Sequence, residues 1–361
     1  MRRKKRNITI LALGDKCDFD AYRKFNRAKT LFISYGFDYV TADYKKFISG
    51  KSPPIKTYKI ILFFFFPHYY WNKHIEHRHY KGIYGNMGFY NKFLRFWNLV
   101  EKRLRRYAGN KKILSINDPR LCAAYRDKLS VFKKNARYHI PQARHYNKMG
   151  IREIQNRLAR GYKFFLKPRC GSMGKGITFL SRDSWQTNFA FKGKKIISRR
   201  SDYGWSFNDV TGNLSFLKML LEKDILIQEA VENLILKGNK VDFRVYTFFN
   251  KAIYVYPRKN TVAKITTNIS QGGRGDPRLL RSLPKSLLTK AVKAAESTSK
   301  ALNIIFAGID IIPDRNCKDV YVIDVNLFAG FPQRGTFDLA KKLAGKLSQL
   351  DDKGELHFKQ G

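Results

Sequence analysis

The apolar residues of the N-terminal third follow two different spacings. Residues 7–13 and 60–66 are short, almost unbroken runs of branched and aromatic residues, 39–42 is a third, and 22–35 and 89–106 place apolar residues at helical intervals. Unbroken runs of this length read as strands covered on both faces. Strands alternating with helices predict a parallel sheet clad by those helices. After a break at Ala108-Gly109-Asn110, a strand is expected at 113–116, a helix at 118–134 opened by Asp118-Pro119, and an extended segment from His139-Ile140-Pro141. The expected class is α/β, built of α+β lobes. Residues 1–115 are expected as an N-terminal α/β lobe, 116–347 as a second domain that carries most of the remaining elements, and 348–361 as a frayed charged tail.

Polar residues interrupt the apolar pattern at three places. A strand at 164–166 ends in Lys167-Pro168 and runs through Gly171, Ser172, Gly174 and Gly176 before another strand resumes at Ile177. Glycines let a backbone approach an oxyanion with its N–H groups, and the preceding lysine adds a charge for phosphates. The text is neither GxxxxGK[ST] nor a dinucleotide fingerprint, since no helix signal follows the glycines. Taken alone, a glycine-rich link between strands also reads as a plain turn. Next, an apolar strand turns polar at Gln228-Glu229-Ala230-Val231. In the run 238–246, Asp242 and Arg244 share one face while Phe243 and Val245 share the other. That pair faces either a cleft or, as an ordinary ion pair, solvent.

The third interruption is the most informative. Ala307-Gly308-Ile309-Asp310-Ile311-Ile312 and Tyr321-Val322-Ile323-Asp324-Val325-Asn326 are apolar strands joined by a short polar turn. Asp324 and Asn326 point to one face, and hairpin pairing brings Asp310 beside them. Two carboxylates and an amide on an apolar hairpin are unfavourable unless a cation joins them, and magnesium shared with nucleotide phosphates meets that demand. The competing reading has Asp310 capping a turn or pairing with a lysine.

Composition narrows the picture without naming a partner. The chain has 361 residues, 43% of them apolar, enough for two or three lobes with their own cores. Its longest apolar run, IILFFFFP at 60–67, is far shorter than the roughly 20 residues of a membrane-crossing helix. Four scattered cysteines, Cys17, Cys122, Cys170 and Cys317, contain no CxxC clip and agree with a reducing, cytoplasmic setting. His68, His74, His77 and His79 lie in a tyrosine-rich segment without zinc-ligand spacing and are expected to pack or face solvent. The 71 Lys and Arg outnumber 28 Asp and Glu, a formal charge of +43 with knots at 2–6, 102–106 and 192–195. Such a field attracts any polyanion, so nucleic acid enters only as a non-specific partner, and a general basic bias accounts for the charge equally well.

The order of these pieces resembles the ATP-grasp superfamily over about 117–346. The carrying text is KPxxGSxGKGI, IQEAVE, GNKVDFRVY, the segment 258–273 ending in TTNISQGG, and GIDI with VIDVN. The wording is similar to RimK-like and glutathione-synthetase-like ligases and to endospore-coat-associated ATP-grasp proteins, and GxKxDxRVY is similar to tubulin-tyrosine-ligase relatives. The resemblance implies an ATP-grasp fold, with 116–347 as two lobes that clamp Mg-ATP and 1–115 as the preceding α/β lobe. By it, Lys128 and Lys167 hold the ATP phosphates beneath Gly171, Ser172, Gly174 and Gly176. Gln228, Glu229 and Val231 meet the base, with Asp242 beside the nucleotide. Arg258 and Asn268 face the γ-phosphate, with Lys167 and Arg244 completing the catalytic set. Asp310, Asp324 and Asn326 bind Mg2+, with Mn2+ as a substitute and two ions expected.

The implied activity is a carboxylate-amine (or thiol) ligase working through an acyl phosphate on an acidic small-molecule, peptide or glycan acceptor, with an amine donor. The superfamily's ligases carry Glu where Asp324 stands and Pro-Gly after the Asn. VIDVNLFAGF departs from that and is similar to the inositol-phosphate kinases. A kinase acting on a phosphorylated or sugar-like alcohol is therefore the alternative, and a polyanion-binding protein on an inactive ATP-grasp frame is the second.

Overall fold

In the computed structural model, residues 5–18, 20–192, 195–198, 206–333 and 335–360 are described. Arg2, Arg3 and Lys4 of the first basic knot, and Gly193 and Lys194 of the third, lie outside the described residues.

The apolar runs of the N-terminal third pair as expected. β1 (Ile8–Gly14) is central, parallel to β2 (Asp38–Asp43) on one side and to β3 (Lys59–Phe64) on the other, with Leu11 opposite Val40 and Leu62. α1 (Met87–Ala108) follows, and β4 (Lys112–Ile116) extends the sheet beyond β3 in parallel. Alternate residues of the same strands serve two cores. Leu11, Leu13 and Leu62 pack with Phe93, Phe96 and Trp97 of α1. Ile10, Ala12, Ile61 and Phe63 pack on the opposite face with Phe25 and Phe32.

Each of two single helices expected from the sequence is broken in two. Residues 22–35 form Ala21–Asn26 and Lys29–Ser34, and 118–134 form Pro119–Ala124 and α2 (Lys128–Arg137). The second break has a clear cause: Asp127 caps α2 by accepting the Leu129 N–H, so the chain starts a new helix there.

Two antiparallel sheets follow. β5 (Phe164–Pro168) lies between β6 (Thr178–Leu180), which pairs with β7 (Trp185–Thr187), and β8 (Ile225–Glu229). In the other sheet β9 (Asn239–Phe248) pairs with β10 (Lys251–Thr261). The long α3 (Lys285–Leu302) then leads to the hairpin of β11 (Phe306–Pro313) and β12 (Val320–Asn326), and β11 pairs with the free edge of β9. Val241, Phe243, Val245, Ile309 and Ile311 pack on Leu287, Ala291 and Ala295 of α3. The alternating residues Asp242, Arg244 and Asp310 are thereby turned away from that helix.

The chain end departs from expectation. α4 (Leu339–Asp352) places Leu339, Leu343 and Leu347 in the second core of the N-terminal lobe, and β13 (Lys359–Gln360) pairs antiparallel with β4. Residues 348–360 are thus built into the structure, not frayed, and the N-terminal lobe is completed by the far end of the chain. Of the charged residues that suggested fraying, Asp351 and Asp352 end α4 and bind Arg6, while Lys353, Glu355 and Lys359 follow it and are exposed around the buried Leu356. No described helix is long and apolar enough to cross a membrane.

Leu343 is fully buried. Leu343→Ala is expected to cost about 2–5 kcal/mol of stability, and Lys342→Ala on the exposed side less than about 0.5 kcal/mol, read from urea unfolding.

Candidate active site

Strand register sets the electrostatics of the hairpin face. Across neighbouring strands Arg258 stands opposite Asp242, Arg244 opposite Asp310, and Asp310 opposite Asp324. Arg244 grips Asp310 with two hydrogen bonds, Nε at 2.8 Å and Nη2 at 2.9 Å. Arg258 grips Asp242 in the same way and reaches Asp310 Oδ1 at 3.3 Å. Burial alone would raise the Asp310 pKa, but Arg244 and Arg258 outweigh it and hold the carboxyl down to about 2. Asp310 is therefore a fixed anion at neutral pH. Asn326 Nδ2 lies 3.3 Å from Asp310 Oδ2, and Lys128 Nζ donates to Asp324 Oδ1 at 2.6 Å.

The opposing sheet contributes cations and glycines. Lys167 on β5 donates to Gln228 Oε1 on β8 at 2.7 Å. Burial pushes the Lys167 ammonium down, Asp324 pulls it back and Lys128 pushes it further down, leaving it at about 8. In the glycine-rich turn Gly174 has φ +73°, and a Cβ there would sit 2.0 Å from Gln271 Nε2. The turn is pinned from two sides. Ser270 Oγ donates to the Met173 carbonyl at 2.9 Å, while from the N-terminal lobe the Gly85 carbonyl accepts the Cys170 N–H at 2.8 Å. Gly85 has φ +70°, and a Cβ there would meet the Gly171 backbone at 2.5 Å, so only glycine permits this approach.

Between the two sheets lies a cleft of about 850 Å³ including its open mouth. It is lined by Lys128, Lys167, Gly171, Ser172, Gly174, Gln228, Glu229, Val231, Asp242, Asn268, Asp310 and Asp324, all read from the sequence as candidates. Gly176, Arg244, Arg258 and Asn326 are not part of the lining. Arg258 is only 2% exposed and is shared between two carboxylates, so here it braces Asp242 and Asp310 instead of facing the cleft. Arg244 is likewise taken up by Asp310.

The sequence reading missed Phe165, Ile177, Ile312 and Ile323, the apolar walls, and Lys240, Thr266 and Thr267. A stricter use of the two-residue strand period would have found some of them. Phe165 lies two positions from Lys167, Ile312 two from Asp310, and Lys240 two from Asp242. Among the histidine-rich aromatics, Trp71 is buried against Phe66, Phe89 and Phe93, and Tyr80 packs on Phe89. They support the lobe's core.

The residues fit a magnesium nucleotide. Among the described residues Gln228 Nε2 is a buried donor without a partner, set among the apolar walls that would flank a flat base. Lys128 and Lys167 could supply cations for phosphates, and Asp310, Asp324 and Asn326 could supply the few oxygen ligands magnesium takes from a protein. The Asn326 amide presents its nitrogen to Asp310 here, and a cation between them would draw its oxygen round instead. The profile of YheC/D-like ATP-grasp domains matches residues 126–345, well over half of the chain. The protein belongs to the YheC/D-like ATP-grasp family.

Among curated relatives of this ATP-grasp chain is the tetrahydromethanopterin:alpha-L-glutamate ligase of Methanosarcina acetivorans, 33% identical over 130 residues, covering 34% of this chain and 36% of the relative. The match thus spans about a third of that relative's length. The ATP-grasp ligase PsnB, in complex with minimal precursor, Mg and ADP, is similar in fold with a TM-score of 0.54 at 13% identity, over 94% of this chain and 96% of PsnB. The macrocyclase MdnC bound with precursor peptide MdnA from Microcystis aeruginosa has a TM-score of 0.57 at 8% identity, over 94% and 99% of the two chains.

The depressed Lys167 yields a direct test. An anion beside it favours the charged ammonium, so ATP binding at about pH 8 to 9 should take up protons. Titration calorimetry in buffers of different ionisation enthalpy should detect this uptake in the wild type and a smaller uptake in Lys167→Met.

Proposed function

We propose that this ATP-grasp protein is an ATP-dependent ligase that joins the carboxylate of an acidic acceptor to an amine by way of an acyl phosphate. The observation that carries the reading is the meeting of Asp310 and Asp324 with Lys128 and Lys167 in one cleft beneath the glycine-rich turn. When bound, magnesium and ATP supply the transferable phosphoryl group and the charge that screens its oxygens.

The chain's own residues bind and orient. Asp310, Asp324 and Asn326 hold the metal, and Arg244 and Arg258 keep Asp310 ionised and immobile. Lys128 and Lys167 take phosphate oxygens. Phe165, Ile177, Ile312 and Ile323 enclose the base, while Gln228 Nε2 awaits an acceptor on it. Thr267 and Asn268 roof the phosphate end, and the pinned turn excludes water from it. In phosphoryl transfer, positioning and electrostatic stabilisation dominate and little acid-base chemistry is asked of the protein, which suits a site without a histidine. The relatives that support a ligase include one that, by its name, attaches alpha-L-glutamate, and others solved with precursor peptides. An acidic acceptor, whether a small molecule, a peptide or a glycan, also suits the formal charge of +43.

The test is incubation with Mg-ATP and panels of acidic acceptors and amines. ADP and free phosphate are expected in step with an amide product, and Asp324→Asn or Lys167→Met should lower turnover by about 10²–10³-fold. ADP accompanied by a phosphorylated alcohol and no free phosphate would overturn the ligase reading in favour of a kinase.

A further inference from the structure

Arg126 stands where three parts of the chain meet. It precedes α2, its guanidinium lies 4.5 Å from the Trp71 ring of the N-terminal lobe, and its Nη2 donates to Ser172 Oγ of the glycine-rich turn at 2.9 Å. Ser172 also hydrogen-bonds Tyr84 at 2.8 Å and lines the cleft, whereas Arg126 itself stands behind the lining.

The carboxylates nearby are engaged elsewhere. Asp127 is gripped by Arg169 through both oxygens, and Glu76 takes Lys175 and the Trp71 indole. Among the described residues Arg126 has no carboxylate partner, and its Nε is buried without any acceptor. Stacking on aromatic rings contributes about 0.5–2 kcal/mol. A charged donor left buried without an acceptor costs as much or more, so contacts with the Trp71, Phe66 and Phe93 rings and one neutral hydroxyl still leave the Nε–H unanswered. A guanidinium fork with free donors is the side-chain shape that binds carboxylate and phosphoryl oxygens.

We propose that Arg126 and Ser172 form an oxyanion subsite at the N-terminal-lobe rim of the cleft. The inference rests on the nucleotide reading of that cleft and adds a binding residue to it. The oxyanion is either the transferring phosphoryl group or the acceptor's carboxylate. An anion beside Ser172 takes the guanidinium donors that the hydroxyl leaves open, and Trp71 holds the fork in place meanwhile. The competing explanation is a purely structural staple between lobes, which would make nucleotide and anion binding indifferent to the guanidinium.

Calorimetric titration of the full chain separates these. Mg-ADP should bind Arg126→Met and Arg126→Lys as it binds the wild type, since it lacks the transferring phosphoryl. If that phosphoryl is the oxyanion, Arg126→Met should weaken Mg-AMPPNP by about tenfold or more, with partial recovery in Arg126→Lys. If the acceptor carboxylate is, AMPPNP affinity stays and binding of glutarate to the AMPPNP-loaded protein falls by about the same factor. Both affinities unchanged in a variant that binds Mg-ADP normally would overturn the subsite. Should Arg126→Met not fold, Arg126→Lys carries the same comparison through the distance its shorter ammonium fails to span. A wild type that binds neither Mg-ADP nor Mg-AMPPNP would instead remove the nucleotide reading itself.

Discussion

The cross-strand run of Arg258, Asp242, Arg244, Asp310 and Asp324 is the constraint to which the rest of the molecule is fitted. Four of these charges lie on three adjacent strands, and Arg258, Asp242 and Asp310 among them are almost wholly buried, where an unpaired ion costs several kcal/mol. Each arginine therefore stands opposite its carboxylate, and the registers of β10 on β9 and of β9 on β11 are locked together. A slip by one residue would turn Asp310 into the apolar layer beneath α3, where Ile309 and Ile311 now sit. Pairing and register enforce one another, and the outcome is an ionised Asp310 presented beside Asp324.

The glycine-rich turn answers this sheet from across the cleft, and its position depends on the N-terminal lobe. Gly85 abuts Gly171, Tyr84 bonds Ser172, and Glu76 takes the ammonium of Lys175. That lobe is in turn anchored from below. Asn117, almost wholly buried, accepts the backbone N–H groups of Ile305 and Phe306 and donates to the Phe306 carbonyl, tying the end of β4 to the start of β11. A chain of direct contacts thus runs from the parallel sheet to both sides of the cleft. Completion of the lobe by α4 and β13 makes the far end of the chain part of the same support.

Much of the site was legible because it lies on strands. A period of two assigns Asp242 and Arg244 to one face, Asp324 and Asn326 to another, and hairpin pairing across a short turn brings in Asp310. Four of the sequence candidates are nonetheless absent from the cleft lining. Arg258 is consumed by Asp242 across a hairpin whose two-residue turn at Phe249-Asn250 carries no strong turn signal, and Arg244 by Asp310, which lies 66 residues further on where local pattern cannot reach. Arg126 escaped notice for the same reason: its meaning comes from Trp71 and Ser172, which are distant in sequence.

By itself, the order of apolar runs and polar interruptions determined the alternating strands and helices of the first part of the chain, and it determined which side chains share a strand face, because strand and helix periods are local properties. Tertiary structure decided which cations remain available to a ligand, where two expected helices break, and that the charged C-terminal stretch closes the first lobe. Those outcomes depend on burial and on partners brought together from remote segments, and no window of sequence contains them.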